Sequence, residues 1–176
     1  MDIYQKNTIR FLKLYGMDLA SAIKDTGIFI ATPIAQCALE SGYGTSPVAR
    51  DCNNFKGISA NAKYSLGRCS GHSRWAKFPS PAVCFQSYAY FVTNKASYKI
   101  ALQQTTPEKQ LYQLVLNGYC TEPRTMTQEQ IATGYLKAAS KYLNAIQQLG
   151  VGGKIGLGGI PISQYGSILA NLPKIL

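Results

Sequence analysis

A glutamate at the end of an apolar helical run is the residue of this sequence best suited to chemistry. Glu40 lies in the run Ala-Gln-Cys-Ala-Leu-Glu-Ser-Gly-Tyr-Gly, and it is one of eight acidic residues among 176. At the last turn of a buried helix, poor solvation and the negative end of the helix dipole both raise a carboxyl pKa. A glutamic acid that stays protonated near neutral pH can act as a general acid on a glycosidic oxygen. Capping of backbone amides in the glycine turn is the alternative interpretation.

The elements that must position Glu40 are predicted to be mainly helical. Thr32 followed by Pro33 is typical of an N-cap and a first helical residue, and Gly42 ends the helix that they begin. The expected order is a helix at about 4–24, the Glu40 helix at 33–41, an irregular loop at 46–54, a β-hairpin at 55–78, and helices from Ser80-Pro81 to Thr93, from Thr106-Pro107 to Gly118, and from the capping box of Thr127 and Gln130 to Gly150.

Three blocks of sequence carry a resemblance to a known family. They are Glu40-Ser-Gly-Tyr-Gly-Thr-Ser followed by Ala49 and Asn-Asn-Phe-Lys-Gly-Ile at 53–58, Trp-Ala-Lys-Phe-Pro-Ser-Pro and its continuation at 75–91, and Gly-Tyr-Cys-Thr-Glu-Pro at 118–123. In this order, over about residues 9–149, they resemble the flagellar-type endo-β-N-acetylglucosaminidases, glycoside hydrolase family seventy-three, which hydrolyse bacterial peptidoglycan. The resemblance implies a lysozyme-like, mainly α (α+β) fold with a small β-hairpin lobe beside the cleft.

The same resemblance implies roles for individual residues. Glu40 would be the proton donor, and Tyr119 would lie beside the cleaved bond. Aromatic side chains suit sugar rings, because a flat apolar face packs on C–H groups while a polar tip bonds hydroxyls. Tyr43, Trp75 and Tyr88 are therefore candidate substrate-binding residues, although each fits the core or the rim equally well. The other two candidates, Asn54 and Phe55, come from the first block.

The sequence departs from this family in one respect, because it has no second carboxylate on the predicted hairpin. The stretch from Cys52 to Pro107 contains no Asp or Glu. Asp51 or Glu122 could supply the second charge from another loop, although both also fit turn-forming roles. Alternatively, the substrate's own 2-acetamido group acts as the nucleophile and Tyr119 steadies it, or a sugar hydroxyl replaces water, as in a lytic transglycosylase. We favour chemistry with a single glutamate. A wall-binding component with weak or no activity is the alternative from another class.

Charge and composition indicate which binding partners and cofactors to expect. Eighteen basic residues against eight acidic ones give a net charge of +10, which predicts attraction to polyanions such as cell-wall polymers. Nucleic acid is the rival partner, but the basic residues are dispersed and no nucleic-acid-binding motif appears. The five cysteines form no C-x-x-C pair, and His72, the one histidine, does not complete a zinc site with them. No metal or cofactor is expected. A reduced protein is the default, with one disulfide among Cys52, Cys69 and Cys84 as the alternative.

Neither a signal peptide nor a membrane span is expected. The start of the chain lacks a charged region, an apolar region and a cleavage site in series, and no apolar stretch approaches the roughly 20 residues that span a bilayer. A wall hydrolase made in the cytoplasm without a leader would reach its substrate after phage release, dedicated secretion, or carriage on a virion or an injection machine.

The end of the sequence departs from the catalytic pattern. We expect a glucosaminidase domain at 1–149, a flexible Gly-rich linker at 150–160 and a short apolar segment at 161–176. The apolar positions of that segment are Ile162, Tyr165, Leu169, Leu172 and Leu176. Such a stripe predicts either folding back onto the same domain or docking on a protein partner, another copy or a membrane surface, and we favour docking on a protein.

Overall fold

Helices dominate the architecture, and one short hairpin accompanies them. The computed structural model describes residues 1–121 and 125–174. Within these ranges the helices are α1 Ile3–Ile23, α2 Ala31–Ser41, α3 Pro47–Cys52, α4 Pro81–Asn94, α5 Lys99–Leu102, α6 Pro107–Leu116, α7 Gln128–Gln148 and α8 Ile162–Ala170, and the antiparallel strands are β1 Arg68–Cys69 and β2 His72–Ala76. The predicted fold class, mainly helical with a small hairpin lobe, is confirmed.

Local side-chain caps explain most of the helix starts. The hydroxyls of Ser80, Thr106 and Thr127 each accept the backbone N–H three residues further on, which satisfies an otherwise unpaired donor. Thr127 and Gln130 form the reciprocal capping box that their spacing predicts. These three predicted starts are confirmed.

Two local predictions are wrong. Thr32 does not cap α2, because the helix begins at Ala31 and Thr32 is fully buried inside it. Its hydroxyl instead donates to the side-chain oxygen of Gln110 on α6 over 3.0 Å. The predicted loop at 46–54 contains α3, which Ser46 caps and which the left-handed residue Asn53 ends.

The core is built around α2. All of its residues except Leu39 and Glu40 are buried, and the helix packs against α6 and α7. Helix α1 packs against α4, α7 and α8. A helix that is apolar on nearly every side must be surrounded by other elements, so only the end of α2 that carries Glu40 reaches solvent.

A disulfide fastens the hairpin lobe. Cys52, at the end of α3, is bonded to Cys69 on β1, with 5.7 Å between their Cα atoms. The expectation of a fully reduced protein is therefore wrong. The alternative of one disulfide among three cysteines holds, and Cys84 is the one left out, because it is buried in α4 as a free thiol. Sequence spacing alone could not choose the pair.

The Gly-rich segment lies against the domain and does not extend away from it. Gly153 accepts a hydrogen bond from the Ile30 backbone, and Ile155 accepts one from Asp25, both over 3.0 Å. Val151 and Ile155 are buried. The sequence predicts a flexible linker here, because glycine-rich segments are flexible in isolation. In the structure, backbone hydrogen bonds and the two buried apolar side chains hold the segment against the domain.

Helix α8 folds back onto α1. Its Tyr165 is fully buried and donates from its hydroxyl to the Val151 carbonyl over 3.3 Å. A Cβ built on Gly16 of α1 would lie only 2.7 Å from the Leu169 side chain, so glycine permits this close approach. Of the two predicted fates of the apolar stripe, the described part adopts packing on its own domain, and Leu176 lies outside the described residues.

Among the described residues, no helix combines the length and the apolar character required to cross a bilayer.

Candidate active site

The end of α2 holds Glu40 in place. Gly42 takes a left-handed conformation, with φ of 55°, and ends the helix by donating its N–H to the Cys37 carbonyl. The Ser41 hydroxyl donates to the same carbonyl over 2.8 Å and accepts the Gly44 N–H over 3.0 Å. A Cβ on Gly44 would overlap the Phe55 ring. The glycines after Glu40 thus allow a tight turn that no larger residue would permit.

Two phenols bracket the Glu40 carboxyl. The Tyr135 hydroxyl lies 2.6 Å from Oε1, and the Tyr119 hydroxyl lies 3.3 Å from Oε2. Tyr135 comes from α7. Tyr119 follows α6, where Gly118 is left-handed, with φ of 91°, and the Tyr119 amide donates back to the Leu114 carbonyl over 3.0 Å. Each carboxyl oxygen therefore has its own phenol, held by a different element.

A buried polar cluster lies one helical turn from Glu40. The Gln36 side-chain oxygen accepts from the Lys56 ammonium and from the Tyr88 hydroxyl, both over 2.8 Å. Lys56 also donates to the Pro33 carbonyl over 3.2 Å. Lys56 is 3% exposed and Gln36 is fully buried, so this cluster is part of the protein interior.

The surroundings raise the pKa of Glu40. Glu40 is exposed as a residue, but protein crowds its carboxyl, and the loss of hydration raises the pKa above the ordinary value of 4.5. The charge of Lys56 and the hydrogen bonds from Tyr135 and Tyr119 oppose this shift without cancelling it. The carboxyl is therefore accessible and biased toward its protonated form, as a general acid requires.

Trp75 reaches the same site from the hairpin. A Cβ built on Gly57 would lie 3.6 Å from the Trp75 ring and 4.0 Å from Glu40 Oε2. The indole and the carboxyl thus flank Gly57, whose missing side chain leaves the space between them open. Trp75 is half-buried, and the Arg74 guanidinium carbon lies 4.7 Å from the centroid of its ring.

Three other predicted sugar-binding residues are buried in the protein interior. Asn54, Phe55 and Tyr88 are 1%, 2% and 1% exposed, so no sugar can reach them. The Asn54 amide donates to the carbonyls of Ile58 and Ala76 over 2.8 and 3.0 Å and thereby connects its loop to the hairpin. Sequence alone could not separate these scaffold residues from contact residues, because both occur within one motif.

Tyr43 is half-buried, and its hydroxyl shares a 2.9 Å hydrogen bond with Thr8 of α1. Its ring contacts Phe11 and Tyr142, with centroids 6.0 and 5.7 Å apart. Through these contacts, Tyr43 holds the turn after Glu40 against α1 and α7.

Asp51 and Glu122 are the two candidates for a second carboxylate, and the structure describes only Asp51. Asp51 is exposed on α3 and is not among the groups that shift the Glu40 pKa. Glu122 lies outside the described residues. Within the described part of the chain, the side chains that act on the Glu40 carboxyl are therefore the two phenols and Lys56.

The comparison with protein families decides which family the chain is in. The model of the glucosaminidase family, described as mannosyl-glycoprotein endo-beta-N-acetylglucosaminidase, matches residues 17–149. The chain belongs to the glucosaminidase family. The resemblance carried by the three sequence blocks is confirmed, and this glucosaminidase is a glycoside hydrolase. No curated protein matches the chain.

Two solved structures share the fold of this glucosaminidase. One is a type VI secretion system effector-immunity complex from Pseudomonas protegens, with a TM-score of 0.55 and 23% identity, covering 78% of this chain and 94% of that one. The other is the catalytic domain of the autolysin Auto from Listeria monocytogenes, with a TM-score of 0.51 and 23% identity, covering 84% of this chain and 88% of that one.

Sequence reasoning misses two residues of this glucosaminidase site. Tyr135 falls within the apolar stripe of α7, which predicts only a packing position. Lys56 lies inside the first motif block, but lysine is rarely buried, so nothing in the sequence places it near Glu40. A phenol hydroxyl within the apolar stripe is the signal that points toward Tyr135, and Tyr142 of the same stripe carries one as well.

Proposed function

We propose that this glucosaminidase cleaves β-1,4 glycosidic bonds next to N-acetylglucosamine in peptidoglycan, with Glu40 as the general acid. The observation that carries the proposal is the accessible Glu40 carboxyl, whose pKa burial raises and whose two oxygens are held by Tyr119 and Tyr135. One structural relative is the catalytic domain of an autolysin, which is consistent with a wall substrate.

The chemistry proceeds in two steps. Glu40 donates its proton to the glycosidic oxygen, and the 2-acetamido oxygen of the same sugar attacks the anomeric carbon as the leaving sugar departs. The Glu40 carboxylate then removes a proton from water, which adds to the anomeric carbon and releases the acetamido group. Glu40 is thereby reprotonated, and the configuration is retained. We assign Tyr119, whose hydroxyl lies 3.3 Å from Glu40 Oε2, the role of steadying the acetamido group.

A single-glutamate mechanism is supported by the distribution of charge. No acidic residue occurs between Cys52 and Pro107, so the hairpin supplies no carboxylate. Asp51 is not among the groups that shift the Glu40 pKa. The same distribution supports the second candidate, a lytic transglycosylase, in which a hydroxyl of the substrate replaces water in the second step.

Digestion of purified bacterial sacculi tests the proposal. Wild type, Glu40→Gln and the control Glu108→Gln are incubated with sacculi, and the soluble fragments are analysed by mass. Glu108 lies in the first turn of α6, so its substitution makes the same chemical change outside the site. We expect wild type and the control to release fragments with reducing-end N-acetylglucosamine, and Glu40→Gln to lose at least about a thousandfold in rate.

The other outcomes are equally specific. A 1,6-anhydro end on the fragments would assign the chain to the transglycosylases. Equal release by wild type and Glu40→Gln would refute Glu40 as the acid. Absence of release by every variant, with binding to sacculi retained, would support a wall-binding component instead.

A further inference from the structure

Lys56 lies in a pocket built for a cation. Its ammonium donates to the Pro33 carbonyl over 3.2 Å and to the Gln36 side-chain oxygen over 2.8 Å. It also lies 4.3 Å from the centroid of the Tyr88 ring. Two oxygen acceptors and an aromatic face replace part of the hydration that a charged ammonium loses on burial. The pocket therefore favours the charged form of Lys56 as far as a buried site can.

This pocket follows the face of α2 that ends in Glu40. Pro33, Gln36 and Glu40 are spaced by three and four residues, so they lie along one side of the helix. The residue after Lys56 is Gly57, whose added Cβ would lie 4.0 Å from Glu40 Oε2. The Lys56 ammonium lies 5.9 Å from the centroid of the Tyr119 ring, and the Tyr119 hydroxyl lies 3.3 Å from Glu40 Oε2. One phenol ring therefore connects the ammonium to the carboxyl, although the hydrogen bonds of Lys56 go to Pro33 and Gln36.

Gln36 fixes the position of the ammonium. Its Oε1 accepts from both Lys56 and Tyr88, while its buried Nε2 has no hydrogen-bond partner among the described residues. Rotating the amide by half a turn would direct its N–H groups at the ammonium and the phenol. The amide therefore holds the cation although one of its own buried donors is left without a partner, an arrangement that costs free energy.

We propose that Lys56 is a positioning residue for Glu40, a buried cation that stabilises the carboxylate formed when Glu40 gives up its proton. This inference rests on the proposed function of Glu40 as the acid. A charge acts more strongly in a desolvated site than in water. Glu40 begins the reaction neutral and becomes an anion at the transition state, so a fixed cation nearby lowers the barrier to proton donation.

Among the described residues, Lys56 is the one cation among the groups that shift the pKa of Glu40. Glu40 faces the phenols of Tyr119, Tyr135 and Tyr88 and the thiol of Cys37. Lys56 faces the thiols of Cys37 and Cys84 and the rings of Tyr88 and Tyr119. Burial raises the pKa of both thiols to about 12, which keeps them neutral. Burial also lowers the pKa of Lys56, whereas Cys37 and Glu40 raise it in part.

The pH dependence of activity tests the proposal. Release of fragments from sacculi is measured against pH for wild type, Lys56→Met and the matched control Lys154→Met. Lys154 is also held by two carbonyls, of Leu102 and Gln104, and lies 4.7 Å from the Phe29 ring, near the opposite end of α2. It therefore reports the effect of removing a packed ammonium without changing the field at Glu40.

The expected result is a shift of the alkaline limb of the activity profile, the pH range in which fragment release declines as the pH rises. Without the cation, Glu40 stays protonated to higher pH, so the limb of Lys56→Met moves upward by about 1 to 2 pH units. The maximal rate falls by up to about tenfold, because a weaker acid donates less readily. Lys154→Met leaves the limb in place even where it lowers the melting temperature.

Several outcomes would overturn the inference. A limb that stays in place in Lys56→Met, in an otherwise active protein, would assign Lys56 a structural role alone. Lys56→Gln, which keeps an N–H donor without the charge, must show the same shift if Lys56→Met does not fold. Failure of both variants to fold would assign Lys56 to stability and overturn the inference as well. Inactivity of the wild type, in contrast, would refute the proposed function itself.

Discussion

Glu40 acquires its chemistry from three neighbours on three different segments. Tyr119 comes from the turn after α6, Tyr135 from α7 and Lys56 from the loop after α3. Burial raises the carboxyl pKa, and these neighbours lower it in part. The balance sets the pH range over which the acid is protonated, so each neighbour can be tested through that range.

Tyr135→Phe removes the shorter of the two hydrogen bonds to the carboxylate. Because that bond stabilises the ionised form, its loss raises the Glu40 pKa further, and activity persists to higher pH. We expect the alkaline limb to move upward by about 0.5 to 1 pH unit. The measurement is the rate of fragment release against pH. Tyr142→Phe, on the same helix, is the control, and an unmoved or downward limb in Tyr135→Phe would contradict the assigned role of Tyr135.

Local sequence predicts Glu40, but it could not predict the partners of Glu40. The helix, the glycine turn and the carboxyl at the junction are consecutive, so their relation is visible in the sequence. The pairing of Glu40 with Tyr135 spans 95 residues and depends on how α2 packs against α7. Similarly, Tyr88 and Phe55 occur in recognisable motifs, but only tertiary packing turns their rings toward the core.

At the scale of elements, the hairpin that carries Trp75 is short. Its strands β1 and β2 have two and five residues, and an isolated two-stranded hairpin is marginally stable in water. The bond between Cys52 and Cys69 and the Asn54 amide attach the hairpin to the helical body. Because Trp75 lies on β2, these attachments also hold its ring beside Glu40.

Reduction of the disulfide is expected to destabilise the protein. The two cysteines are 17 residues apart, and opening a loop of this size costs about 3 kcal/mol of unfolding free energy. Urea unfolding with and without dithiothreitol measures the difference, and Trp75, the one tryptophan, reports the hairpin by its fluorescence. Cys69→Ser serves as the control, because its unfolding should not respond to the reductant. Identical midpoints for reduced and oxidised wild type would contradict this prediction.

The helix starts at Ser80, Thr106 and Thr127 could be predicted because caps are local. The start at Thr32 could not, since its hydroxyl found a partner on α6 that lies 78 residues away. The tail shows the same limit. Glycines predict flexibility, but the hydrogen bonds of residues 153 and 155 to the chain before α2 override that tendency.

At the scale of the whole molecule, charge is the dominant property. The net charge of +10 attracts the protein to polyanions through long-range fields that salt screens. Bacterial walls present carboxylates and, in many cases, phosphate polymers. The charge therefore concentrates the enzyme on its proposed substrate independently of the fit at Glu40.

Binding of Glu40→Gln to sacculi is expected to weaken severalfold or more between about 50 and 500 mM salt, since the screening length shortens over this range. A pelleting assay measures the bound fraction, and the inactive variant avoids digestion of the support. Sacculi stripped of anionic polymers are the control, on which binding should be weaker and less sensitive to salt. Binding that is unaffected by salt would show that local contacts, not the net charge, retain the protein.

The separation of Glu40 from Tyr135 along the chain has a consequence for biosynthesis. A ribosome has translated most of the sequence before the second phenol exists, because it lies 95 residues after Glu40. A nascent chain that stops before α7 still contains the glutamate and its glycine turn, but not the hydrogen-bond donor on Oε1. Fragments that a motif search would count as enzymes therefore lack part of the site, and the contact on Glu40 Oε1 forms only after α7 has been translated.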